Sequence, residues 1–193
     1  MKTIVWDLDD VLNNLMEAWL DNAWRIEHAG STIAYAQLRS NPPTAELATT
    51  SEAYLASLDR FRLSPASRDL RPQPALMSWF QRFGDRFYHH ILTARPVATV
   101  APAADWAFTH FGRWIRHFHF VPSPRPGESL PAYQRTKGEM LAEFGSVDFF
   151  IDDSTENVAA ASALGINALL FPQPWNRSEL TIPALLDELT RHS

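Results

Sequence analysis

The chain has no cysteine, which excludes disulfides, thiolate catalysis and cysteine-ligated zinc and leaves the redox compartment open. Lysine is almost absent too. Of 17 basic residues only Lys2 and Lys137 are lysines, so arginine carries nearly all the positive charge. Acids outnumber bases, and a net charge of −5 gives no field of the kind that a long nucleic acid needs, although a small phosphate ester remains compatible. No apolar run approaches the roughly 18 residues of a membrane span. Met1-Lys2-Thr3 meets Asp7 too early for a signal peptide, so a cytoplasmic location is expected. Internal repeats and low-complexity tracts are also missing. With 46% hydrophobic and 20% charged residues the composition is that of a globular protein, and 193 residues suffice for one domain plus a small second lobe.

What is present starts at once, in Thr3-Ile4-Val5-Trp6-Asp7-Leu8-Asp9-Asp10-Val11-Leu12. The short apolar run Ile4–Trp6 does not alternate, as expected of a strand buried on both faces in a parallel sheet. It runs into Asp7, Asp9 and Asp10, and acids this close repel one another unless a cation holds them. A hard metal at the strand end is the first expectation, and Mg²⁺ suits it because it takes a few oxygens and leaves room for a phosphate. A loop of solvated acids that merely turns the chain is the bland alternative.

Further along, Leu12 to Gly30 has a helical period with Trp19 and Trp24 on its apolar positions. From Ser31 to about Pro74 come short helical pieces, such as Thr50 to Leu58, broken by Asn41-Pro42-Pro43, Ser64-Pro65 and Arg71-Pro72-Gln73-Pro74. A helix is expected from Pro74 to Gly84, then a strand over 87–93 and a helix from about Val100 to Phe111. Next come a strand over 117–121, a Pro-rich loop over 122–131, a helix over 136–144 and a strand over 147–151. A helix over 158–164, a strand over 167–171 and a closing helix over 182–189 complete the pattern. Strand and helix alternate, so the expected fold is α/β, a Rossmann-like parallel five-stranded sheet with right-handed crossovers.

Ligands of open parallel sheets lie outside the carboxyl ends of the strands. Three of the expected strands end in reactive side chains: Asp7 and Asp9, then Thr93, then Asp152 and Asp153. Lys137 lies one helix before the last pair, and a compact ammonium kept in an arginine-rich chain suits a point charge on phosphate oxygens.

Asp7-Leu8-Asp9, Ile91-Leu92-Thr93, Lys137 and Ile151-Asp152-Asp153-Ser154 resemble, in order and spacing, the four motifs of the haloacid dehalogenase (HAD) superfamily of phosphohydrolases. The likeness covers residues 3 to about 171. Residues 14–74 match the place where such enzymes of the C1-cap type carry a small helical cap, leaving 1–13 and 75–193 as the HAD-like core. The Leu-Thr-Ala-Arg-Pro string at 92–96 is, more loosely, similar to the 5′(3′)-deoxyribonucleotidase group.

The resemblance implies a phosphoric monoester hydrolase. Asp7 would be the nucleophile, and Asp9 the general acid and then base, with a pKa raised by the neighbouring acids. Thr93, Ala94, Arg95 and Lys137 would bind the substrate phosphate, Thr93 and Lys137 also serving catalysis. Mg²⁺ would be held by the Asp7 side chain, the Asp9 backbone carbonyl and Asp153, with Asp152 a direct ligand or an outer helper. Asn157 departs from the pattern, since an acid is common there, and this bears on metal affinity.

Several residues have blander readings. Thr93 and Ser154 could be helix N-caps, Asp10 a structural turn residue, and Arg95 one half of an exposed salt bridge. His89-His90 and His117-x-His119 hint at zinc, but each pair lies in one strand and no third ligand is apparent, so no histidine metal site is expected. Trp19, Trp24, Tyr35, Tyr54 and Phe61 could stack on a nucleobase or form the small lobe's own core. Trp106, Trp114 and Trp175 are candidate markers of a homodimer interface. The expected function is Mg²⁺-dependent hydrolysis of a small phosphate monoester, a nucleoside monophosphate being the leaning. Phosphotransfer, and a non-catalytic binding or assembly role on the same fold, are the alternatives. Carbon-halogen cleavage is disfavoured, because it offers Asp9 no leaving oxygen to protonate.

Overall fold

The structure, a computed structural model, describes residues 1–131, 133 and 135–192. Five parallel strands form one sheet in the order β3-β2-β1-β4-β5: β1 (Lys2–Trp6), β2 (Phe87–Arg95), β3 (Ile115–Pro122), β4 (Phe149–Asp152) and β5 (Asn167–Leu170). The apolar run of β1 fills the central position expected of it. Ile4 and Trp6 point to one face and Val5 to the other, and all three are fully buried.

Helices α5 (Pro74–Phe83), α6 (Val100–Phe111) and α9 (Ile182–Arg191) cover the Trp6 face, through Leu76, Phe80, Phe111 and Leu185. Helices α7 (Lys137–Glu143) and α8 (Thr155–Ala163) cover the other, through Leu141 and Ala161. Trp6 is the keystone of the first face. It packs on Trp79 and Phe80, and its Nε1 donates to His89 Nδ1 at 3.0 Å, so truncation to alanine would cost roughly 3–5 kcal/mol.

Between β1 and β2 the chain is helical: α1 (Leu15–Trp19), a π-helical turn (Leu20–Trp24), α2 (Arg25–Glu27), α3 (Ser51–Arg62) and α4 (Pro65–Arg68). The first of these helices starts three residues later than its periodicity suggests. Residues Leu8–Leu12 form a wide turn with Asp10 at φ 60°, a backbone that short polar side chains tolerate. Asp10 Oδ1 accepts from Met16 N at 2.8 Å, the structural role expected of it.

This segment has its own apolar cluster, with Trp19, Trp24, Tyr54, Leu58 and Phe61 buried together. It is tied to the body by ion pairs, Arg125 to Asp59 at 2.6 Å and Arg62 to Asp9 at 3.2 Å. The candidate interface tryptophans are engaged internally. Trp106 is buried and donates to Leu70 O at 2.7 Å, Trp114 packs on the main core, and Trp175 packs against the apolar cluster of the helical segment. Among the described residues no helix is long and apolar enough to cross a membrane.

Candidate active site

The strand order reverses between β1 and β4, since β1 leads to β2 on one side and the later β4 pairs on the other. A crevice at the carboxyl end of the sheet follows at this point. The pairing sets its contents. Trp6 is in register with Ile151, and Asp7 N donates to Ile151 O at 2.8 Å, so the next residues, Asp7 and Asp152, emerge side by side.

Lys137, the first residue of α7, reaches between them. Thr136 caps that helix, its hydroxyl accepting from Glu139 N at 3.1 Å. The Lys137 Nζ then lies 2.8 Å from Asp7 Oδ1 and 2.7 Å from Asp152 Oδ2. Burial opposes the ammonium's charge, but the carboxylates of Asp152 and Asp7 outweigh it and hold the proton more firmly than on an ordinary lysine.

Asp7 Oδ1 also accepts from Leu8 N at 2.7 Å, which leaves Oδ2 without a hydrogen bond among the described residues. Asp152 is saturated, with Oδ1 accepting from Ser154 N at 2.8 Å and Asn157 Nδ2 at 3.1 Å, and Oδ2 from Lys137 and Asn157. Asp153 Oδ2 accepts from Trp175 Nε1 at 2.8 Å.

Oxygens of Asp7, Asp152 and Asp153 all lie within 4.8 Å of one another. Burial, then repulsion from Asp152 and Asp153, pushes the Asp7 carboxyl well above its usual range even against Lys137. Burial and Asp152 push Asp153 up to about 7. One ammonium therefore does not neutralise this group. An all-oxygen, acid-rich donor set short of positive charge fits a hard divalent cation.

Asp9 departs from expectation. Its carboxylate is gripped by Arg95 and by Arg62 of α3, the latter at 3.2 Å, and it accepts from Asn13 at 3.4 Å. Burial alone would raise its pKa, but the two guanidiniums reverse that and hold it below the usual carboxylate range. The neighbouring acids do not set its charge, as the sequence suggested; arginines far away in sequence do. Arg95 is thus neither an exposed salt bridge nor part of the cavity wall. It is 3% exposed, behind Asp9.

A cavity of about 370 Å³ opens over the group, with Asp7, Thr93, Lys137 and Asp153 at its floor and Asp9 and Ala94 beside them. Thr93 is buried within β2 and caps no helix, whereas Ser154 caps α8 through Asn157 N. Tyr54, Leu58 and Arg62 of α3 also line the cavity, as do Glu156, Trp175 and Asn176. Arg62, Glu156, Trp175 and Asn176 were not singled out for the site by sequence. For Arg62 a signal existed, because 54, 58 and 62 share one helix face and the arginine ends an otherwise apolar stripe.

No family model matches the chain, and no curated protein does. Solved structures do. A haloacid dehalogenase-like hydrolase from Streptococcus pneumoniae superposes with a TM-score of 0.62 at 13% identity, over 97% of this chain and 90% of that one. The fold is HAD-like. A HAD hydrolase from Bacillus subtilis, solved with magnesium bound, has a TM-score of 0.59 at 12% identity, over 99% of this chain and 97% of that one. Protein tyrosine kinase A from Mycobacterium tuberculosis has a TM-score of 0.65 at 10% identity, over 97% of both chains. The HAD-like fold thus hosts both hydrolases and a protein named as a kinase, so the chemistry of this chain must be argued from its site.

Proposed function

We propose that the protein is a Mg²⁺-dependent phosphomonoesterase of the HAD type, acting on a small phosphate ester through a phosphoryl group carried on Asp7. The observation that carries this reading is the environment of Asp7. One oxygen is fixed by Leu8 N and Lys137, the other is turned loose at the floor of a cavity, and two further carboxylates stand beside it.

Asp7 and Asp153 would hold the cation directly, with the Asp9 backbone carbonyl. Asp152, whose oxygens already accept four hydrogen bonds, would steady Lys137 and the loop instead. Bound there, Mg²⁺ would neutralise the acids and stabilise phosphoryl charge in the transition state.

In the first step Asp7 Oδ2 attacks phosphorus as the bond to the ester oxygen breaks, and Asp9 gives its proton to that departing oxygen. In the second a water attacks the same phosphorus, its proton passes to Asp9, and phosphate leaves as Asp7 is restored. The Thr93 hydroxyl and the Lys137 ammonium hold the non-bridging oxygens. Asp9 as observed is the carboxylate that the second step needs. Its proton for the first step requires a weaker hold by the guanidiniums, and of the two only Arg62 is carried by the helical segment between β1 and β2. That segment, residues 14–74, we read as a cap that closes over the substrate.

Tyr54 and Trp175 both line the cavity, while Trp19, Trp24 and Phe61 are interior to the cap. The aromatic pair supports a nucleoside monophosphate or another planar ester. The complete acidic set argues against an idle binding protein, because clustered buried carboxylates cost stability.

Release of inorganic phosphate from a panel of nucleotides, sugar phosphates and an aryl phosphate tests this, with Mg²⁺ or with EDTA. Turnover in Mg²⁺ alone is expected. No phosphate release from any ester, or release undiminished by EDTA, would overturn the reading. Transfer to an alcohol acceptor in place of water would favour a phosphotransferase.

A further inference from the structure

Three histidines meet on the face of the sheet opposite Trp6, at the β2–β3 edge. His90 of β2 is in register with His117 of β3, and Leu92 with His119, so the alternation of strand side chains puts all three imidazoles on one face. His89 goes to the other face, where its Nδ1 accepts from Trp6 and its Nε2 contacts Gly84 O at 2.9 Å. Ring centres are 4.4 Å apart for His90 and His117, 5.7 Å for His90 and His119, and 5.9 Å for His117 and His119. Phe144, just past α7, packs on His119 at 4.5 Å and on His90 at 6.0 Å, closing one side.

We propose that His90, His117 and His119 form a binding site for one divalent transition cation of the Zn²⁺ class, separate from the carboxylate centre. Each sequence pair lacked a third ligand because β2 supplies one and β3 two, and only the strand pairing unites them.

Four observations support the site. The first is spacing: a tetrahedral ion about 2.0–2.1 Å from each nitrogen requires ring centres about 5 Å apart, which the three separations straddle. The second is unsatisfied polarity. His90 Nδ1 and His119 Nε2 are shielded from solvent and have no hydrogen-bond partner among the described residues, whereas buried polar atoms nearly always have one. The third is charge. Burial and the neighbouring imidazoles push His90 down to about 4, and burial and His117 lower His119, so both offer lone pairs at neutral pH. The fourth is access, since His117 is exposed and β3 is an edge strand.

The nitrogens do not yet converge. Among the described residues only the carboxylate group brings its ligand atoms within 4.8 Å. Turning rings about χ2, easiest for exposed His117, is the rearrangement that binding requires. His90 precedes Thr93 by three residues of strand, about 10 Å, so an ion here does not share ligands with the catalytic centre. Imidazole favours zinc, copper or nickel and carboxylate favours magnesium, so the two sites sort cations by chemistry. An ion here would clip the edge strand β3 to β2.

Equilibrium dialysis of the intact protein against Zn²⁺ in a large excess of Mg²⁺ tests the proposal. The Mg²⁺ suppresses binding at the carboxylates. One Zn²⁺ per chain is expected in the wild type and in Asp153→Asn, with affinity falling at least on the order of tenfold in His117→Ala and in His119→Asn. His117→Ala, at an exposed position, is also expected to keep its fold by circular dichroism and its Mg²⁺-supported phosphatase rate. Zn²⁺ that excess Mg²⁺ displaces from the wild type, or that both folded histidine variants bind as tightly as the wild type, would overturn it.

Discussion

The ammonium of Lys137 lies 2.8 Å from one oxygen of Asp7, and the same oxygen accepts from Leu8 N, so the other oxygen alone is available to a phosphorus atom. In the proposed mechanism Lys137 thereby selects which oxygen attacks. It also offsets the repulsion of the buried acids. Replacing it with methionine leaves Asp7 and Asp152 buried without a counter-charge, a loss of roughly 3–5 kcal/mol. Thermal melts of Lys137→Met should show this loss in EDTA and a partial recovery in Mg²⁺, with activity lost in both. An unchanged melting temperature in EDTA would remove Lys137 from this role.

Arg62, at the end of α3 in the proposed cap, lies 3.2 Å from Asp9 Oδ2, the proposed acid–base group. Its positive charge lowers the Asp9 pKa, so Arg62→Met should raise it. In the proposed mechanism Asp9 must be protonated to start the reaction, so activity should fall as pH rises through its pKa. The alkaline limb of the kcat profile should therefore move to higher pH in the variant. A limb that stays in place, or moves to lower pH, would show that Arg62 does not set the proton on Asp9.

His89 binds in its neutral form, with Nδ1 accepting from Trp6 Nε1 and Nε2 donating to Gly84 O, and a proton on Nδ1 would oppose two N–H groups. Burial lowers its pKa to about 4, from an ordinary value near 6.5. Between those values the unfolded chain takes up a proton that the folded one refuses. Stability is therefore complete above about pH 6.5 and lost as pH falls toward 4, by roughly 3 kcal/mol. Denaturant titrations should show that slope in the wild type and less of it in His89→Gln.

Asn157 stands where the motif resemblance would place an acid, and its amide donates to both oxygens of Asp152. An acid there would repel Asp152 where asparagine supports it. Asn157→Asp should lose about 1–3 kcal/mol in EDTA, and less when Mg²⁺ is present. A stability gain in EDTA would contradict this reading of the departure.

The sheet was readable because Ile4-Val5-Trp6 and Phe149-Phe150-Ile151 are apolar on both faces, a pattern that central parallel strands impose. The floor of the site was readable because strand ends leave a local imprint, and Asp7, Thr93, Asp152 and Asp153 each follow an apolar run. What escaped depends on contacts between distant segments. The charge state of Asp9 is set by Arg62 and Arg95, which lie 53 and 86 positions away. Trp175 reads as a lone aromatic until the loop after β5 folds it against Asp153. The delayed start of α1 follows from Asp10 adopting a left-handed backbone, which a helical period does not encode.

The most direct test of the account is to trap the phosphoryl group on Asp7. An aryl phosphate has a leaving group that needs no proton, so Asp9→Asn should complete the first step and stall in the second. Acid quench and peptide mass spectrometry of that variant, with Mg²⁺, should find phosphate on the peptide bearing Asp7. Asp7→Asn should give neither phosphoprotein nor free phosphate. Phosphate on another residue, or turnover by Asp7→Asn near the wild-type rate, would contradict the central claim that Asp7 is the nucleophile.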